Sequence, residues 1–301
     1  MIRKPDKALQ WQSKTILLLV VPWTVASVIL QAHWWLVQEP TVAWQSLGIS
    51  ALFGLIVWRL KAATPAGAAT GAAITASLMF STARYPYRWS WLHGGLLPLL
   101  TVFLLTYAAT KIGKAKKERL GTGEGKRGRN AAQVAANLGI AALAAQSIQL
   151  IQTPHDWAGE LFLSIAALTA LAEAAADTVS SEIGQVFGGE PLMLTTLQRV
   201  PPGTDGGVSL AGTFAGATAA LIVAGVGSAM LFTDLPRQGH FTLAGMIGLA
   251  GTLGLLFDSL LGAMLERKGY LNNDAVNFLS TMSAAVFGLA ELYLLLASAP
   301  I

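Results

Sequence analysis

Residues 158–184 read AGELFLSIAALTALAEAAADTVSSEIG. From about 158 to 180 the run is apolar enough to cross a bilayer, which takes about 20 residues. Its end nevertheless carries two carboxylates, Glu173 and Asp177. An acid inside a span costs at least ~2.5–3.5 kcal/mol on insertion scales. A chain that accepts that cost twice within one turn is a membrane protein with a function to locate there.

The rest of the chain agrees. Only 12% of its 301 residues are charged and 53% are hydrophobic, with a mean hydropathy of +0.55. Soluble domains carry about 25% charged residues, so a soluble globule and a disordered chain are excluded. With no cysteine there is no disulfide scaffold, thiolate metal site or cysteine nucleophile. His33, His93, His155 and His240 are scattered, without metal-ligand spacing. The fold class is an all-α polytopic helix bundle. Its nine spans are expected near 15–37, 41–58, 65–82, 92–110, 131–150, 158–180, 207–231, 240–262 and 275–298. Residues 1–14 form a tail and 15–301 a single membrane domain.

Charge orients the bundle. With the N-terminus inside and the C-terminus outside, 17 of the 20 Lys and Arg residues fall on cytoplasmic segments. Only Arg84, Arg88 and Arg237 do not, as the positive-inside rule requires. The net charge of +4 therefore reports topology and not nucleic acid. The first apolar run lacks a small-residue cleavage site and reads as a span, not a signal peptide. Trp34, Trp35, Trp44, Tyr85, Tyr87, Trp89 and Trp91 lie near span ends, as an interfacial aromatic belt does. The basic loop 111–130, KIGKAKKERLGTGEGKRGRN, is a topology anchor that also meets anionic headgroups or steers phosphorylated substrates.

Five segments concentrate the polar chemistry. Glu173 and Asp177 are spaced i, i+4 and share a helix face, continued by Ser180, Ser181 and Gly184. Glu182 is turned away by about 140°. Two close carboxylates repel; a Mg²⁺ ion bridging them relieves this, as does hydrogen bonding to neighbouring helices. In 199–213, RVPPGTDGGVSLAGT, the prolines stop a helix and the glycines permit positive φ. Thr204, Asp205 and Ser209 are candidate caps of the next helix. Free N–H groups there would suit an anion, although no P-loop pattern is present.

In 248–263, GLAGTLGLLFDSLLGA, the residues Gly248, Gly251, Gly254, Asp258 and Gly262 form a small-residue face that points Asp258 at protein. In 270–281, YLNNDAVNFLST, residues Asn272, Asn273 and Asp274 suit an N-cap and Asn277 lies one turn on. In 129–146, RNAAQVAANLGIAALAAQ, a polar stripe Arg129, Gln133, Asn137 either joins helices or holds phosphate or nucleotide. All five reach the cytoplasmic level. A transporter site would lie at the midplane, so the pattern suits an interfacial enzyme taking a lipid from the bilayer and a soluble partner from the cytoplasm.

RNAAQVAANLG, AAADTVSSEIG, VPPGTDGGVSLAGT, GTLGLLFDSLLGA and NNDAVNFLST, in that order, also carry a family resemblance. They resemble the uncharacterised integral membrane protein family that includes plant and cyanobacterial phytyl-phosphate kinase and the eukaryotic transmembrane protein nineteen. The resemblance covers about 65–296 and leaves the first sixty residues out. It implies phosphorylation of an isoprenyl monophosphate, of the phytyl or geranylgeranyl type, to the diphosphate. The donor would be CTP or another nucleoside triphosphate with Mg²⁺, as in tocopherol biosynthesis. The stretch QVFGGE, 185–190, departs from the pattern, so ligand roles are not carried through it.

On this basis Glu173, Asp177 and Asp258 are expected to hold Mg²⁺, with Asp177, Asp258 and Glu182 as the catalytic acids. Arg129, Gln133, Asn137, Ser181, Arg199, Pro202, Gly203, Thr204, Asp205, Gly206, Gly207, Ser209, Asn273 and Asn277 are expected to bind substrate phosphate or nucleotide. The active-site loops are 181–206 and 263–274. Expected partners are a membrane isoprenyl phosphate and a nucleoside triphosphate, with homo-oligomerisation allowed and nucleic acid excluded. A bacterial cytoplasmic membrane or a thylakoid-type membrane would house the protein. The rival reading is a lipid-phosphate carrier or flippase that uses the same charges without nucleotide.

Overall fold

The computed structural model describes residues 10–83, 94–122, 128–151 and 157–298. Arg84, Tyr85, Tyr87, Arg88, Trp89, Trp91, His93 and His155 lie outside these residues. So do residues 1–9 of the tail and 123–127 of the basic loop. The described chain is a helix bundle: α1 Gln10–Gln38, α2 Pro40–Arg59, α3 Pro65–Ser81, α4 Leu96–Lys111, α5 Lys114–Leu120, α6 Ala131–Ile151, α7 Trp157–Phe187, α8 Leu210–Leu231, α9 Arg237–Leu261 and α10 Asn273–Ser298.

Each of the nine expected spans coincides with one helix. Seven of them (α1, α2, α6, α7, α8, α9 and α10) are long and apolar enough to cross a membrane. The pair α4 and α5, bent by 66°, would make an eighth. At 17 residues α3 is shorter. Large apolar side chains such as Leu210, Phe214, Phe241 and Leu30 stand exposed around the bundle. So extensive an apolar exterior is a lipid-facing surface. The protein is an all-α polytopic membrane bundle.

The core runs around α7, which packs against α4, α6, α8, α9 and α10. Its buried positions are mostly alanine, from Ala166 to Ala176, and so are those of α6. Small side chains let helix backbones approach closely where lipid gives no hydrophobic drive. The glycine stripe of α9 does what its spacing indicated. Gly248 meets Leu221 of α8, Gly251 meets Ala172 of α7, and Gly254 meets Ala284 of α10.

Two expectations change. The helix carrying the acids does not end near 180: α7 continues to Phe187, so Ser181 and Glu182 are helical and the loop begins at Gly188. The helix runs through Gly184 and ends only at the pair Gly188 and Gly189. Trp35 is not in an aromatic belt. It is buried with Val42, Ala43, Ala76 and Phe80, while Trp34 and Trp44 are exposed. Trp35 lies on the face of α1 that meets α2 and α3, and packing decides its place.

One end of the bundle gathers the polar connections. Residues 61–64 hydrogen-bond to Arg129, Lys116 donates to the Val186 carbonyl, and Gln12 donates to the Tyr270 carbonyl. Between α7 and α8 the chain forms a two-residue antiparallel hairpin, β1 Leu192–Met193 with β2 Gly207–Val208. Gly206, at φ +77°, brings this hairpin onto the backbone of Ala263 beyond α9.

Candidate active site

The acids come together from two helices and one turn. Glu173 and Asp177 share a face of α7, and Asp258 of α9 stands within hydrogen-bonding reach of Asp177. Ser280 of α10 lies beside both Glu173 and Asp258. This crowding depends on Gly254. A Cβ there would sit 2.6 Å from the Glu173 side chain and 2.6 Å from Ala284. Two oxygens in the cluster, Glu173 Oε1 and Asp258 Oδ1, are buried and have no hydrogen-bond partner. Six other buried side-chain oxygens of the described residues share that state, but these two belong to a cluster of acids, and burying an unpaired polar atom costs ~1–3 kcal/mol.

Glu266 joins the cluster, facing Asp177, Asp205 and Asp274. It was not among the expected site residues, and the reason is geometric. In an ideal α-helix Glu266 would lie about 80° round from Asp258. The chain instead passes through one π-helical turn, Gly262–Glu266. A π turn advances less per residue, which swings Glu266 back toward the face of Asp258. In the sequence Glu266 stands beside Arg267 and Lys268 and reads as part of a surface turn.

Arg129 supplies the positive side. Its Nη2 donates to Thr178 Oγ1 at 3.2 Å, and its charge reaches Asp177. The rest of its stripe divides. Asn130 and Gln133 form a reciprocal capping box: Gln133 N donates to Asn130 Oδ1 at 3.0 Å and Asn130 N to Gln133 Oε1 at 2.9 Å. Gln133 is thus engaged in starting α6. Asn137 is buried and donates to the Gln133 carbonyl at 2.9 Å.

Glu182 stands apart from the cluster. Lys117, buried on α5, forms an ion pair with it, and Thr110 donates to its Oε1 at 3.2 Å. The structure gives it the geometry of a strut between α4, α5 and α7. Ser181 is exposed and accepts from Gln185. Arg199 lies on the loop surface, 3.5 Å from Glu190.

The Pro/Gly loop uses part of the backbone that was expected to bind anion. The N–H groups of Thr204 and Gly207 are bonded to Pro201 and Thr204 carbonyls, and the Thr204 hydroxyl to Pro201 O. Pro202 and Gly203 form the outer turn, with Gly203 against Thr122. Ser209 caps α8 through Gly212 N. Asp205 alone of the loop faces the acids, through Glu266. Of the Asn-rich turn, Asn272 caps α10 and binds Ser13, while Asn273 donates to Asn277 at 3.4 Å near the surface.

Among the described residues no three His, Cys, Asp or Glu side chains are placed to hold a metal ion together, so Glu173, Asp177 and Asp258 do not form the three-carboxylate site that was expected. Mg²⁺ does not need one. It usually takes one or two carboxylates together with phosphate oxygens and water. The donor set is all hard oxygen, and two of its buried oxygens are orphaned. The cluster fits such an ion.

The model of the family described as integral membrane protein DUF92 matches residues 48–285, which include every acid of the cluster. An uncharacterized membrane protein of Methanocaldococcus jannaschii is 39% identical over 40% of this chain and 48% of its own length. The match thus spans about half of that relative. An uncharacterized membrane protein of Synechocystis is 33% identical over 65% of this chain and 72% of the relative. Protein VTE6, chloroplastic, of Arabidopsis thaliana is 27% identical over 81% of this chain and 71% of the relative. No solved structure matches. The chain belongs to the DUF92 family of integral membrane proteins.

Proposed function

We propose that this protein is an isoprenyl-phosphate kinase, working at the cytoplasmic face with a nucleoside triphosphate and Mg²⁺. The observation that carries the reading is the pair of orphaned carboxylate oxygens, Glu173 Oε1 and Asp258 Oδ1, beside Asp177 and Arg129. The family resemblance of the five motifs supports the reaction, and the collection of cationic segments at the same end supports the side.

One or two of Asp177, Asp258 and Glu173 would hold Mg²⁺, which would neutralise charge on the transferring phosphoryl group. Arg129 faces the same space and offers planar, bidentate recognition of a phosphate. The lipid monophosphate is already anionic. One of its oxygens attacks the γ-phosphorus, the bond to the nucleoside diphosphate breaks, and no protein base is needed. The packing of α7, α9 and α10 around the acids would keep out water, which would otherwise compete as acceptor.

The test is label transfer in nanodiscs from γ-labelled CTP or ATP to phytyl, geranylgeranyl or undecaprenyl phosphate. Mg²⁺-dependent label in a lipid diphosphate is the expected result. Bound lipid phosphate with no transfer from any donor would replace the kinase with a carrier.

A further inference from the structure

A cleft opens between α2, α3, α4 and α6, floored by Ala174 of α7. Its walls are apolar: Val57, Leu99, Phe103 and Leu138 line it. Phe53 of α2 and Phe103 of α4 are in edge-to-face contact, with ring centroids 5.3 Å apart, and together close one side of it. Three cations, Lys61, Lys111 and Arg129, line the same cleft. They lie at the polar end of the bundle, where Arg129 also contacts Thr178, one residue beyond Asp177.

The placement of these cations is built into the backbone. Lys61 follows the end of α2 with φ +55°, a left-handed position that glycine usually fills after a helix. The next residues lock onto the start of α6: Thr64 N donates to Arg129 O at 2.9 Å and Arg129 N to Ala62 O at 3.0 Å. This short bridge holds Lys61 and Arg129 side by side. Lys111 closes α4 from the facing wall, with its ammonium 4.8 Å from the Tyr107 ring. Both lysines are exposed, so their charge is open to a headgroup.

We infer that this cleft seats a single-chain lipid monophosphate, its chain between Phe53 and Leu138 and its phosphate among Lys61, Lys111 and Arg129. The inference builds on the kinase reading by naming where the acceptor lies. Arg129 then marks the border between the acceptor phosphate and the acids that would hold the metal. Charge complementarity chooses the occupant: an apolar slot with a cationic mouth matches one chain with one phosphate.

The experiment measures binding without turnover. The protein in nanodiscs would be labelled with a tail-diazirine analogue of geranylgeranyl monophosphate, with unlabelled lipid, phosphatidate and inorganic phosphate as competitors. Labelling is expected on α2, α4 and α6. Lys61→Gly keeps the left-handed backbone comfortable, and Lys111→Met keeps the stem over Tyr107. Each should weaken lipid affinity about tenfold or more, the scale of one charged hydrogen bond. Gly71→Leu should displace the chain, because Gly71 lines the cleft and only Val134, at 4.0 Å, would meet its Cβ.

Phosphoryl transfer with labels elsewhere, unmoved by these variants, would remove the cleft and leave the kinase. Labelled cleft with no transfer would do the reverse. Equal competition by inorganic phosphate or by phosphatidate would overturn the single-chain lipid as occupant.

Discussion

Glu182 and Glu173 lie nine residues apart on α7, and the fold treats them in opposite ways. Both oxygens of Glu182 are engaged, one by Thr110 and one by Lys117. Lys117 spends its remaining protons on the carbonyls of Ala109 and Thr110, at 3.1 and 2.8 Å. Glu173 lies deeper still in the protein, yet its Oε1 has no partner. This helix is therefore able to satisfy a buried acid completely. Where it leaves one open, beside Asp177 and Asp258, the proposed Mg²⁺ would supply the missing partner.

The largest effect tests the satisfied half of that contrast. Lys117→Met leaves Glu182 without its counter-charge, held only by Thr110, which should cost about 3–5 kcal/mol of stability. Lys117→Met with Glu182→Leu should return most of it, since a buried pair replaced by apolar groups is often neutral. Unfolding in detergent measures both. A Lys117→Met protein of full stability that has lost turnover would move the pair into the active site and erase the contrast.

Asp177→Asn tests the open half. It should lower phosphoryl transfer by roughly 10²–10³-fold, the scale for losing one group that stabilises developing charge. The unfolding midpoint should move little, because the amide keeps a hydrogen-bonding group beside Asp258 and Arg129. Full turnover by the purified variant would show that the orphaned acids serve something other than the reaction.

Gly254→Ala sharpens the link between packing and site. Its Cβ would lie 2.6 Å from both Glu173 and Ala284, and overpacking of this kind costs about 1–3 kcal/mol. Glu173 has to shift to admit the methyl, so kcat should fall in the molecules that remain folded. A variant as active as the wild type would show that the position of Glu173 is not critical.

The span pattern was readable from hydropathy alone because a bilayer imposes length and polarity on every helix. The acids on α7 and α9 were readable for the same reason, as each is an expensive exception to that rule. What hydropathy does not contain is which polar group pairs with which. Glu182 resembles Glu173 in sequence until Lys117 reaches it from α5, 65 residues upstream. Glu266 is invisible without the π turn that re-aims it. Lys61 and Lys111 count equally as topology charges and gain a second meaning only when α2 and α4 face each other across a cleft.

The smallest effect concerns Gln133, where spacing pointed to a ligand and the structure shows a cap. Gln133 lies one turn from Arg129 and one from Asn137, so the stripe suggested three groups facing one phosphate. Its oxygen instead accepts from Asn130 N, and its N–H donates to Asn130 Oδ1. Both bonds satisfy donors that every helix start leaves over. Gln133→Ala should therefore cost about 0.5–1 kcal/mol, as loss of a cap does. Asn130→Ala should cost about the same, and the double variant little more, because the two residues form one motif. Neither kcat nor KM should change. A tenfold rise in the KM for lipid phosphate at unchanged stability would return Gln133 to the substrate. The cleft would then carry a neutral amide beside its three cations, and the open half of α7 would extend onto α6.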